Sequence, residues 1–393
     1  MRPAAPSILW IASHLRYPSG HAEEARAFLC ALEQEGHEPS AIEMARMGTE
    51  RSVPLSEEEL ARLVRQMERR PDDPVVAVHA YTPKADRDYG VPAAVAVARA
   101  MFETDRLPDG WTVPLASKEQ VWVPSMHNYE VFAAGGVPES KLRILGQTLD
   151  FETYDPDTAE PIDLGAPDDH LVFLSNFDFS ERKGWRRLLM GWARAFDAHD
   201  PVCLVLKTLS VAKWDEDYIH QRIRHFLDVE LGAGSGNRLA PIEILPCRVG
   251  PHELPPFYAA ADAYVSVSRG EAWGRTYMEA MAMELPTVGS RYGGNLDFMS
   301  DDDCWLIDGE LVPVASHAEV LNDLYMGHRW FEADVDELAR VLREIASDPT
   351  AAREKARGTR ARLMSEFGPE PITRRILELA ESAVLSVEEP SAA

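Results

Sequence analysis

Apolar and polar positions along this chain predict strands and helices in turn. Ile8-Leu9-Trp10-Ile11 is an apolar run, followed by the loop Arg16-Tyr17-Pro18-Ser19-Gly20. Residues 22–35 then repeat at helical spacing, with Ala25, Phe28, Leu29 and Leu32 on one face and Gly36 as the stop. Strand, glycine loop and helix make one α/β unit. Apolar runs at 75–78, 121–123 and 142–145 read as further strands, with helical stretches between the first of them, as a parallel sheet requires. Residues 155–169 are rich in Pro and Asp, lack periodicity and read as a domain linker. The alternation then restarts with strand 171–174, helix 185–198 and strands 202–206, 242–245, 263–267 and 287–288. Residues 353–385 read as a helical, mostly amphipathic tail. The pattern predicts two α/β domains, 1–165 and 166–365, and a last helical segment, 366–393.

Composition narrows the partners. Lys plus Arg is 40 and Asp plus Glu is 65, a net charge of −25, which argues against nucleic acid and anionic membranes. Residues 1–165 carry 16 basic against 27 acidic side chains, so a lipid acceptor is disfavoured. An anionic substrate must therefore be held by a local basic cluster. The hydrophobic share of 45% excludes a disordered acidic tail. The first apolar run is too short for a signal peptide or a membrane span. The four cysteines lie far apart without C-x-x-C spacing, so reduced thiols in a cytoplasmic protein are expected. His14, His21, His79 and His127 are scattered, and no HExxH, G-x-S-x-G or P-loop occurs, so no metal site is expected. The acidic triplets 301–303 and 215–217 read as exposed loops.

The stretch Ser268-Arg269-Gly270-Glu271-Ala272-Trp273-Gly274-Arg275-Thr276-Tyr277-Met278-Glu279 follows an apolar strand and enters a helix near Thr276. It sets Glu271 in the loop and Glu279 in the first helical turn. In parallel α/β sheets the crevice at the carboxyl ends of the strands is where ligands bind. Amides at the helix start can meet a diphosphate, and Glu279 can accept bonds from the vicinal hydroxyls of a ribose. Thr276-x-x-Glu279 also fits a capping box, in which Glu279 only satisfies the Thr276 amide. A capping box leaves Glu271, Gly270 and Gly274 unexplained.

Ser180-Glu181-Arg182-Lys183-Gly184 opens the helix at 185–198, with Arg186 and Arg187 close behind. Cations at a helix amino terminus are unfavourable by about 0.3–1 kcal/mol each. An anionic ligand would convert that cost into charge-assisted bonds of about 1.5–3 kcal/mol. A solvated basic turn compensated by Glu181 is the alternative. In the first domain, Ser19-Gly20-His21 lacks G-x-G-x-x-G and reads as a tight turn or a ligand loop. Phe102-Glu103-Thr104-Asp105 reads as carboxylates after a helix.

These residues resemble glycosyltransferase family 4. The stretch 268–282, with Leu285-Pro286 and Gly293-Gly294, is similar to the family's E-x7-E region. The resemblance extends, in the family's order, to Val121-Trp122-Val123-Pro124-Ser125, Gly136-Val137-Pro138, Phe173-Leu174-Ser175 with Arg182-Lys183-Gly184, and Ala261-Asp262-Ala263. It implies the α/β GT-B architecture: two facing Rossmann-like domains with parallel sheets and an interdomain cleft. The first domain would hold the acceptor, the second the nucleotide-sugar, and the last helix would cross back to the first. It further implies a retaining transfer without an obligatory metal. By position, Glu271 would contact hydroxyls of the donor sugar. Gly274, Arg275 and Thr276 would present amides near the diphosphate, and Glu279 would hold the ribose. Lys183 would bind the diphosphate with help from Arg182, and Arg248 and Val249 would frame the base. Two departures stand out. Ser175-Asn176-Phe177 replaces a Gly-Arg that grips phosphate in many members, leaving Arg182 to substitute. Glu103 stands where many members carry a His, as a polariser of sugar or acceptor.

The expected reaction moves a hexose from a nucleoside diphosphate sugar to a hydroxyl of a small soluble acceptor. The loops 16–21 (with Gly20 and His21), 81–89 and 103–111 carry aromatics and acids. They suit a polyhydroxylated or amino-bearing acceptor such as a natural-product intermediate. A nucleotide-sugar epimerase or hydrolase on the same fold, and a catalytically silent sugar-nucleotide-binding module, are the competing expectations.

Overall fold

The computed structural model describes residues 6–17, 19–44, 54–73, 75–83, 95–209, 216–232, 239–314 and 323–388. The chain divides into two compact units. One comprises residues 1–151, 250–252 and 364–393, the other residues 152–249 and 253–363.

In the first unit the order is β1 (Ser7–Ala12), α1 (Gly20–Gln34), β2 (Ser40–Glu43), α2 (Glu57–Glu68), β3 (Val75–Ala80), β4 (Val95–Arg99), α3 (Thr112–Ala116), β5 (Gln120–Val123), α4 (Met126–Ala134) and β6 (Leu142–Ile144). The strands form one parallel sheet in the order β2-β1-β3-β4-β5-β6. Ser19 starts α1 by accepting the Ala22 amide on its hydroxyl, and Gly36 ends the segment with φ 81°. Trp10 and Phe28 meet at 5.1 Å in the core, where apolar burial contributes about 25 cal/mol per Å².

The second unit opens with β7 (Leu171–Asp178), α5 (Trp185–Ala195), β8 (Val202–Leu209), α6 (Glu216–His225), β9 (Ile242–Pro246), α7 (Pro255–Ala259), β10 (Ala263–Val265) and α8 (Arg275–Ala282). It continues with β11 (Thr287–Ser290), β12 (Trp305–Ile307), the antiparallel hairpin β13 (Gly309–Pro313) and β14 (Arg329–Ala333), α9 (Val335–Ser347), α10 (Pro349–Ala356) and α11 (Thr359–Phe367). Its parallel sheet runs β12-β11-β10-β7-β8-β9. The apolar layer on one face joins Phe173, Leu204 and Val265 to Trp185 and Trp192 of α5 and Leu338 of α9.

Two parallel six-stranded α/β sheets agree with the expected fold class. Other readings need correction. Tyr154 lies 6.2 Å from the Tyr258 ring and Arg360 pairs with Asp155 at 3.2 Å, so the Pro/Asp-rich stretch belongs to the second unit and the division falls at Phe151 instead of residue 165. Strands β2, β4 and β12 were not expected. β2, with four residues, and β12, with three, are short. The single helical tail is three helices, because Gly358 adopts φ 82° and Pro349 and Pro369 each begin a new one. The last, α12 (Pro369–Glu388), packs Ile372, Ile376 and Leu379 into the first unit's core. Residues 84–89 of the expected acceptor loops, and Asp215 of one acidic triplet, lie outside the described residues. Among the described residues no helix is long and apolar enough to cross a membrane.

Ile376 has no exposed surface. Ile376→Ala should lower stability by about 2–5 kcal/mol, read as a reduced urea midpoint by circular dichroism.

Candidate functional site

In the second sheet β7 and β10 are neighbours, so the loops leaving their carboxyl ends meet. The β7 loop ends in a 3-10 turn, Glu181–Lys183, and Gly184 takes the left-handed conformation that starts α5. A Cβ at Gly184 would lie 2.0 Å from the Val267 carbonyl oxygen of the β10 strand end. The turn therefore sits directly on the loop that carries Glu271, and only glycine permits that approach. The Arg269 amide donates to the Arg182 carbonyl at 2.7 Å and seals the two loops together.

This arrangement brings Lys183 Nζ to 2.5 Å from Glu271 Oε1, with Arg182 at 3.5 Å from the same oxygen. Arg182 also donates to the Gly270 carbonyl at 2.7 Å. Burial pushes the Glu271 pKa up. The Lys183 and Arg182 charges and bonds from Lys183 and Ser268 outweigh it, and the carboxyl sits below its ordinary value. The other two cations expected here are turned elsewhere. Arg186 pairs with Glu181 and Glu230, and Arg187 pairs with Glu332. The basic cluster thus narrows to Arg182 and Lys183.

The capping-box reading of Glu279 is overturned. The residue preceding α8 is Gly274, at φ 95°, so Thr276 lies inside the first turn and cannot act as the cap. Glu279 instead accepts a hydrogen bond from the Tyr258 hydroxyl at 2.7 Å, and Arg275 Nε stands 3.9 Å away. Burial, then the Glu279 charge, push the Tyr258 pKa well above its usual value, which keeps that phenol a donor. No side chain caps the start of α5 or α8. Their first-turn amides give an anion two positive helix ends in one neighbourhood. Arg248 is exposed in the loop after β9, two strands from β7.

Sequence reasoning did not pick out the supports of this site. Arg269 is 9% exposed and bonds Glu332 Oε1 at 2.7 Å. It also approaches Glu181 Oε2 at 3.6 Å and lies 4.5 Å over the Trp330 ring. Its carbonyl accepts the Phe331 amide at 2.8 Å, so the β13–β14 hairpin anchors the loop. Tyr258 and Asn176 were missed as well. A Tyr before an Ala-rich helix end and an Asn inside an apolar strand carry no local signal of their own.

In the first unit, the loops after β1, β3 and β4 enclose a cavity of about 240 Å³. Its lining includes His14, Tyr17, Ser19, His21, Tyr81 and Trp111. Glu43 holds the β1 loop by accepting the Leu15 amide at 2.9 Å and the Arg16 guanidinium at 2.5 Å. Gly20 is the first residue of α1, beside the lining residues Ser19 and His21. Glu103 is half-buried in the loop that follows β4, so the carboxylates at 103–105 come after a strand and not after a helix. Among the described residues no group of three or more His, Cys, Asp or Glu is placed to hold a metal ion.

Residues 168–326 match the family model described as Glycosyl transferases group 1. A sequence comparison with curated proteins finds no match. Among solved structures, Anabaena HepE in complex with UDP and glucose is similar at 16% identity and a TM-score of 0.63, over 96% of this chain and 100% of that one. Sucrose-phosphate synthase from Thermosynechococcus elongatus is similar at 16% identity and a TM-score of 0.63, over 97% and 100%. An α,α-trehalose-phosphate synthase (UDP-forming) from Burkholderia vietnamiensis is similar at 12% identity and a TM-score of 0.63, over 97% and 100%. These likenesses show the fold, the two-domain α/β GT-B architecture.

Two outcomes test the site's construction. Gly184→Ala should cost at least about 1–2 kcal/mol from the left-handed backbone alone, measured by urea denaturation. Because Glu271 has a lowered folded-state pKa, its ionised form adds stability above its ordinary value of 4.5, and that contribution disappears as pH falls through the folded value. Wild type should therefore exceed Glu271→Gln by about 1.5–3 kcal/mol near neutral pH, with the gap closing in acid.

Proposed function

We propose that this protein is a retaining glycosyltransferase that moves a hexose from a nucleoside diphosphate sugar to a hydroxyl of a small soluble acceptor. The observation that carries the reading is the meeting of Lys183, Arg182 and Glu271 with the uncapped start of α8 and the buried Glu279–Tyr258 pair. Within one neighbourhood it offers cations and amides for a diphosphate and two separate carboxylates for hydroxyls. The match of residues 168–326 to a glycosyltransferase model falls on the same stretch. Solved structures of similar fold contain UDP and glucose or UDP-glucose, which favours a uridine diphosphate donor.

In this reading the donor enters by breaking an existing pair. The diphosphate takes Lys183 and Arg182, and Glu271 turns its freed oxygens to the sugar hydroxyls. Glu279, held by Tyr258, accepts from the ribose. As the bond from sugar to diphosphate lengthens, the ring gains oxocarbenium character and charge builds on the leaving phosphate. Lys183, Arg182 and the amides of Arg275 and Thr276 are already oriented toward that charge, so little reorganisation is needed. Because these groups neutralise the leaving phosphate, no obligatory metal is assigned. The leaving oxygen takes the acceptor proton on the same face, which gives retention. Glycosidase logic, with two carboxylates across one sugar, does not fit carboxylates that grip different parts of the donor.

The first unit is assigned the acceptor. Its aromatic cavity near His21 suits a hydroxylated small molecule such as a natural-product intermediate, with Glu103 polarising sugar or acceptor and Arg248 framing the donor base. The four cysteines, none in a disulfide, fit a cytoplasmic setting.

A thermal-shift screen of nucleoside diphosphates and their sugars should give a melting temperature that rises with UDP or UDP-glucose concentration. Glu271→Ala and Lys183→Ala should each lower transfer from the identified donor at least about tenfold, or about 1.4 kcal/mol of barrier. Wild-type rates in both folded variants would refute the assignment.

A further inference from the structure

Trp111 stands in the wall of the first unit's cavity and is 5% exposed. Its indole N–H is buried and meets no hydrogen-bond acceptor among the described residues. A buried indole N–H ordinarily finds a partner, because losing its hydration without one is costly. The group is a donor only, so the partner it lacks is an acceptor atom. The fold fixes the position of this donor. The Trp111 ring packs edge-on against Phe102 at 5.4 Å. Asn128, which has no exposed surface, holds Phe102 by accepting its amide at 2.9 Å and donating to its carbonyl at 2.8 Å. The N–H is thus in place before anything binds.

The rest of the wall narrows what supplies the acceptor atom. Its rings come from three loops: His14 and Tyr17, 5.5 Å apart, after β1, Tyr81 after β3 and Trp111 after β4. At roughly 30 Å³ per water, a cavity of about 240 Å³ holds about eight waters, and it falls below the range of about 300–1,000 Å³ usual for larger ligands. That is room for one substituted ring and too little for an oligomer or an extended chain. Among the described residues the wall includes no Asp or Glu, so an ammonium would enter without a counter-ion. Arg99 is the one Arg or Lys of the described wall, and its guanidinium is committed. It donates twice to Glu24 and once, at 2.8 Å, to the Leu145 carbonyl, so a carboxylate or phosphate would gain no partner from it. Ser13, Ser19 and Thr82 contribute hydroxyls, which both donate and accept.

We propose that this cavity binds a single uncharged, polyhydroxylated ring, and that Trp111 sets its orientation by donating the indole N–H to one of its oxygens; this rests on the acceptor reading above. The aromatic wall packs against the flat apolar faces of the ring, and the hydroxyls meet the polar edges. Trp111 determines specificity and takes no part in proton or hexose transfer.

The test uses the full chain, isotopically labelled on the indole nitrogens of its nine tryptophans and followed by NMR. The indole signal absent from W111F identifies Trp111. myo-Inositol, D-glucose, D-glucosamine and D-glucuronate are titrated in turn. At least one of the two uncharged rings should move the Trp111 signal downfield to saturation, and both charged rings should bind at least about fivefold more weakly than it does, about 1 kcal/mol. W111F should raise the Kd of that uncharged ring at least about fivefold. Saturable binding that leaves the Trp111 signal in place overturns the proposal. So does a charged ring that binds as tightly as the uncharged one, an unchanged Kd in folded W111F, or no saturable binding by any of the four. If W111F does not fold, W111M is read by the same criteria. A ring that binds through Trp111 but receives no hexose from the tightest-binding nucleotide sugar refutes the acceptor reading and leaves the ring site standing.

Discussion

The second unit is organised around one contact, the ion pair between Lys183 and Glu271 at the ends of two adjacent parallel strands. A chain with a net charge of −25 repels anions at long range. It can bind one only where cations are concentrated and water is limited. The pair meets that requirement by holding an ammonium and a guanidinium against one carboxylate, mostly out of solvent. Each member makes the burial of the others tolerable, since an isolated charge there would be strongly penalised. A ligand with a diphosphate and hydroxyls could exchange for this internal pairing partner by partner.

The surroundings keep the contact in place. Gly184 lets the two loops touch, Arg269 ties both to the β13–β14 hairpin through Glu181, Glu332 and the Phe331 amide, and Tyr258 fixes Glu279 from behind. Buried polar groups here hold one another through paired contacts, Arg269 with Glu332 and Tyr258 with Glu279. The first unit repeats the logic on a smaller scale, where Glu43 secures the β1 loop beside an aromatic cavity and Arg99 pairs with Glu24 beneath it.

What the sequence makes legible follows from the range of the interactions involved. Long apolar strands such as β1, β3, β7 and β8 and the amphipathic helices α1 and α5 are visible because their signals are local. So are Glu271 and Lys183, whose loops have the spacing of a ligand-binding turn. Strands such as β2 and β12 are not legible, because four or three residues gain their burial only from neighbours distant in the chain. The role of Glu279 was ambiguous for a related reason: Thr276-x-x-Glu279 satisfies a local rule, and only the left-handed Gly274 shows that the helix begins earlier. Arg269 and Tyr258 act through partners 63 and 21 residues away, so no local pattern marks them. Arg186 and Arg187 failed in the opposite direction. Their spacing suggested a phosphate cluster, and distant carboxylates claimed them instead.

The central claim is that the Lys183–Glu271 contact is a placeholder for a nucleoside diphosphate. A crystal structure with UDP bound addresses it without reliance on rates or on an identified acceptor. The account predicts the diphosphate against Lys183 and the first turn of α8, with Glu271 displaced from the ammonium and the ribose hydroxyls on Glu279. A nucleotide bound elsewhere, with Lys183 and Glu271 still paired, would contradict it.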